Sequence, residues 1–81
     1  MLRLTGISLN DKDKLYDMLM SDSNFRYDVS EGGFYTNDHV VVGIDRSPYH
    51  CMVYAATQSG EEHVQKWHDY IVNKWNETQN S

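Results

Sequence analysis

The chain is poor in the residues on which cross-linked, membrane-spanning and nucleic-acid-binding architectures depend. Its 81 residues include one cysteine, Cys51, and one proline, Pro48. A single thiol can neither close an internal disulfide nor supply a multi-thiolate zinc site. Long apolar runs are also missing. The longest is Val40-Val41-Val42-Gly43-Ile44, far short of the ~20 residues that cross a bilayer. Positive charge is scarce: 7 Lys and Arg face 12 Asp and Glu, a net charge of −5. That balance lacks the basic footprint of a nucleic-acid binder. No basic segment followed by an apolar stretch opens the chain, so no secretory signal is read and a reducing, cytoplasmic setting is expected. What is present is 40% apolar and 12% aromatic content. That suits one small globular domain, expected over residues 1–76, with a flexible polar tail over 77–81.

Hydrophobic spacing sets out the elements. Leu2, Leu4 and Ile7 predict a first strand over residues 2–7. A helix over 10–21 follows, with Asn10 as N-cap and Asp13 in a capping-box position; Ser8 with Asp11 is the rival cap. Phe25, Tyr27 and Val29 alternate with polar residues, as on a half-buried strand. Glu31-Gly32-Gly33 is a turn, and Phe34 to Thr36 resumes a strand. His39 to Ile44 is β-rich, Asp45 to Pro48 is a turn, and Tyr49 to Thr57 predicts another strand. Ser59 and Glu62 have the spacing of a capping box. Val64, Trp67, His68, Ile71 and Trp75 then line one face of a final helix. The order β-α-β-β-(β)-β-α predicts an α+β fold. Its antiparallel sheet has about four strands, with two helices on one face and the other face partly solvated.

That order invites comparison with double-stranded RNA-binding domains, which start their second helix with basic residues. Glu61 and Glu62 stand there instead, so the RNA-binding reading is rejected. Small toxin ribonucleases share the order too, but they are basic and carry a Gly-His pair that this chain lacks. The likeness is one of topology, which does not carry function.

No catalytic or metal-binding constellation emerges, and no cofactor is expected. His63 and His68 are five residues apart, about 140° around a helix, and cannot ligate one metal from one face. His39 and His50 approach each other only if their strands bring them together. Cys51 follows His50 directly, so on a strand the two point to opposite faces, against a nucleophile pair. His68 reads as a core histidine with one satisfied hydrogen bond, or else as a pH-sensitive or interface position. The chain is therefore not expected to be an enzyme. The competing view is a small nuclease using His39 or His50 with Asp38 or Asp45.

Charge is more informative. Residues 8–38 hold seven acids against three bases and account for −4 of the total, whereas residues 39–60 are neutral. Six tyrosines are also more than one small core readily buries. The candidate partner-binding residues are Asp11, Asp13, Asp17, Tyr27, Asp28, Glu31, Tyr35 and Asp38. Together they predict a protein–protein interaction module that binds and inhibits or modulates a protein with a basic or nucleic-acid-binding surface. In size and charge it resembles phage accessory, anti-defence, antitoxin and immunity proteins. A homo-oligomeric unit pairing edge strands or the Trp67/Trp75 face is the remaining alternative.

Overall fold

The computed structural model describes residues 1–79. In chain order its elements are β1 (Leu2–Arg3), α1 (Lys12–Met20), β2 (Arg26–Asp28), β3 (Gly33–Tyr35), β4 (Val40–Gly43), β5 (Met52–Ala55) and α2 (Val64–Gln79). A 3₁₀ turn leads into each helix, over Leu9–Asp11 and Gln58–His63. The strands form one sheet in the order β1-β5-β4-β3-β2, and every pairing is antiparallel. The fold is α+β, as the order of elements predicted, with the bracketed strand present.

The register explains the two faces. Leu2, Val53, Val42, Phe34 and Tyr27 stand opposite one another across the five strands, so their side chains share a face. Leu15 and Leu19 of α1, with Val64, Ile71 and Trp75 of α2, join that row in a single core. Phe34 is fully buried at its centre, with the rings of Tyr27 and Tyr16 at 5.2 and 5.5 Å. The opposite row is Arg26, Tyr35, Val41 and Tyr54. No helix among the described residues covers that face.

Several element boundaries differ from those expected. β1 stops after Arg3 because the chain turns at Leu4–Ile7, where Gly6 adopts a φ of 79° that glycine accepts without strain. The first helical segment is capped by Ser8 and Asp11, not by Asn10: the Asp11 carboxylate accepts from both the Ser8 backbone N–H and its hydroxyl at 3.1 Å. Val29, expected inside a strand, is 84% exposed. The strand ends at Asp28, whose carboxylate accepts from the backbone N–H and hydroxyl of Ser30 and turns the chain. The Ser59/Glu62 capping box does not form. Residues 58–63 follow a 3₁₀ path from Thr57, because Gly60 packs backbone to backbone against His39, where a Cβ would stand 2.1 Å from the carbonyl oxygen. α2 runs on to Gln79, through part of the expected tail, and Asn80 and Ser81 lie outside the described residues. No helix among the described residues is long and apolar enough to cross a membrane.

Candidate functional site

The eight residues singled out in the sequence do not form one surface. Tyr27 and Tyr35 share the β2–β3 hairpin, yet they lie on opposite faces of the sheet. Tyr27 belongs to the core side, stacked edge-on against Tyr16 and Phe34, and its hydroxyl donates to Asp45 at 2.8 Å. That bond, with a lesser contribution from burial, raises its pKa. Tyr35 lies on the helix-free side. Its hydroxyl and that of Tyr54 both donate to the Glu31 carboxylate, each at 3.4 Å. Burial, then the charge of Glu31, pushes the Tyr54 hydroxyl up to about 12. Tyr49 stacks on Tyr54 at 4.8 Å, and Val41 beneath is fully buried. This face largely covers itself: the Tyr35 and Tyr54 hydroxyls are bonded within the molecule and Val41 at its centre is hidden.

The acids divide in the same way. Asp11 and Asp28 hold turns. Asp38 accepts from the Lys66 ammonium at 2.6 Å and the Trp67 indole N–H at 2.9 Å, which together hold its carboxyl below the usual range. The most buried carboxylate, Asp22, lies outside the set expected to bind a partner. Asp22 is 6% exposed and accepts from Lys74 at 2.6 Å, from the Tyr70 hydroxyl at 2.7 Å and from the Asn24 backbone N–H at 2.9 Å. Burial raises this carboxyl, and those three donors outweigh it and hold it down at about 2. Its signal was spacing alone, since Asp22 falls on the buried stripe of Leu15, Met18 and Leu19.

Ion pairing redistributes the charge. Lys12 pairs with Asp45, Arg46 with Glu31, Lys66 with Asp38 and Lys74 with Asp22. The two lysines of α2 thus neutralise acids of the segment that looked most acidic in the sequence. Of the seven acids in 8–38, only Asp13 and Asp17 have a carboxylate with no hydrogen-bond or ion-pair partner among the described residues.

These two carboxylates share a face of α1 with Met20, at i, i+4 and i+7, and Leu9 lies one turn before them. Leu9 is 53% and Met20 54% exposed. On the outer side of α1, two large apolar side chains thus stand open to water with two unpaired carboxylates between them. Burying one such apolar side chain contributes ~1.5–3 kcal/mol.

The histidines do not meet. His39 lies at the Val40/Ala55 end of the β4–β5 ladder and His50 at the Gly43/Met52 end. His39 is in a turn with a φ of 61°, and Cys51, at 56°, is off the strand as well. Its thiol is buried and points at the Ser8 carbonyl, and burial raises its pKa. No group of three or more His, Cys, Asp or Glu suited to a metal occurs among the described residues. No protein-family model, curated protein or solved structure matches this chain.

Proposed function

We propose that this protein is a small acidic interaction module. It binds a protein whose surface combines apolar side chains with Lys or Arg, and by occupying that surface it inhibits or modulates the partner. The docking surface is the outer side of α1: Leu9, Asp13, Asp17 and Met20. The observation that carries this reading is the coincidence there of exposed large apolar side chains with the two unpaired acids of residues 8–38. Apolar area supplies affinity, while unpaired carboxylates steer a basic partner and fix its orientation. A partner's nucleic-acid-binding site presents that chemistry, because the cations that contact phosphates would meet Asp13 and Asp17.

A photo-crosslinking residue in place of Met20 tests this in lysate of the native host. The expected result is one dominant protein adduct, lost when D13K and D17K are added. The same probe in place of Glu61, which is exposed in the 3₁₀ turn that precedes α2, gives no such adduct. Identical adducts from both positions, or an adduct indifferent to the charge reversal, overturn the assignment.

A further inference from the structure

Where the segment after β1 meets α2, three side chains are linked in series. The Thr5 hydroxyl lies 3.2 Å from Nε2 of His68, and Nδ1 of the same ring lies 2.9 Å from the Asp69 carboxylate. Asp69 also accepts from Gln65 at 2.9 Å, and the hydrogen bonds from His68 and Gln65 keep its carboxyl below the usual range. An ionised carboxylate only accepts, so Nδ1 carries the proton in this pair. In the neutral ring Nε2 then holds the lone pair, and the Thr5 hydroxyl is the donor. The His68 side chain is 13% exposed and its ring is held at both nitrogens.

The surroundings fit a reacting group. Thr5 and Gly6 line an open groove of about 620 Å³ that continues through Ile7 and Ser8 to Asp11, with Arg3 as its one basic side chain. The backbone N–H of Gly6, next in the chain after Thr5, donates to no group among the described residues. A Cβ at Gly6 would meet nothing within 4 Å, so the groove is open there and glycine is required for its φ alone.

We propose that Thr5, His68 and Asp69 form a nucleophilic site that accepts an acyl group from a small activated ester. The Thr5 oxygen attacks the ester carbonyl carbon while His68 Nε2 takes the hydroxyl proton. The Gly6 N–H, unpaired and next in the chain after Thr5, is the donor assigned to the oxyanion that forms. Collapse breaks the bond to the leaving alkoxide, which receives the proton from His68. The product is an ester on Thr5, which water hydrolyses by the same proton route. Thr5 is the nucleophile and His68 the general base, whereas Asp69 is a positioning residue that sets the tautomer.

The probe is p-nitrophenyl acetate with the full chain. The expected result is release of nitrophenolate with a 42 Da acetyl adduct (about the mass of C2H2O) on Thr5, found by peptide mass spectrometry. His68→Gln lowers the acylation rate about 100-fold, within the range for removal of a general base. Thr5→Val abolishes the adduct, and Thr5→Ser retains it. Asp69→Asn lowers the rate and moves the His68 ring nitrogen NMR signals toward the Nε2–H tautomer. Each variant is checked by circular dichroism for an unchanged fold. Acetylation spread over the lysines, or a Thr5 adduct that forms equally fast in folded His68→Gln, overturns the proposal. Neither result bears on the α1 surface.

Discussion

Asp17 and Asp22 are five residues apart and lead opposite lives. Asp17 projects from the middle of α1 into water, its carboxylate without a partner among the described residues. Asp22 follows the end of the same helix and lies beneath α2, where Lys74, Tyr70 and Asn24 all donate to it. Formal charge counts them alike. Physically, the first adds to the field at the protein surface, whereas the second adds almost none, because Lys74 cancels it locally. The same division separates Asp13 from Asp38, whose carboxylate joins the β3–β4 turn to α2 through Lys66 and Trp67. Inward acids hold α2 to the rest of the molecule, and outward acids remain available for binding.

The largest break in this comparison comes from Asp22. Asp22→Asn keeps the shape and removes the charge, leaving Lys74 without its counter-ion. Its carboxyl lies near 2 in the fold against about 3.9 in an unfolded chain. That difference corresponds to about 2–3 kcal/mol of stability. Urea titration at neutral pH should show a loss of that size. The sign also sets a pH window. A depressed carboxyl stabilises fully above its unfolded value and progressively less as pH falls toward 2. Wild-type stability should therefore drop between about pH 4 and pH 2, and the Asp22→Asn variant should show a shallower decline over the same interval.

Asp38 gives the next effect, in the same direction and smaller. Its carboxylate is the more solvent-accessible of the two, 29% exposed against 4% for Asp22, so water screens the pair with Lys66. Asp38→Asn should lower the thermal midpoint by less than Asp22→Asn does. It should also change the Trp67 fluorescence, because the indole N–H loses a charged acceptor. An equal or larger loss at Asp38 would show that burial does not rank these carboxylates.

Particular residues show how much of this was legible beforehand. Apolar spacing located both helices and the segments that carry the strands, about four of which were expected where the sheet has five, because alternation and the i, i+3, i+4 rhythm follow directly from backbone geometry. It misjudged ends. Val29 continues the alternation of Phe25 and Tyr27 but falls beyond the point where Asp28 turns the chain, and Ser59 has a capping box in sequence but follows the path that Gly60 takes against His39. Both outcomes depend on contacts that local spacing does not contain. The candidate surface was half legible. Asp13 and Asp17 were named, but so were Asp11, Asp28, Glu31 and Asp38, which serve the fold. The pairing of Lys66 with Asp38 and of Lys74 with Asp22 spans 28 and 52 residues, and no local pattern announces such pairs. Thr5 and His68, 63 residues apart, were hidden for the same reason.

The smallest stability effect belongs to the outward acids, and it sharpens the comparison most. D13K and D17K together reverse two charges on an exposed face where neither carboxylate has a partner to lose. Some cost remains, because Asp13 lies in the first turn, where the helix dipole favours negative charge. The net change should stay within about 0.5 kcal/mol per site, the usual range for exposed positions. If α1 is the docking surface, the same double variant loses its partner while melting like the wild type, and Asp22→Asn does the reverse at a temperature where it remains folded. Measuring both variants for unfolding and for crosslinking from position 20 therefore separates the two classes of acid. A double charge reversal that unfolds the protein, or an Asp22→Asn protein that stays folded yet no longer crosslinks, would show that the inward and outward carboxylates do not divide the work in this way.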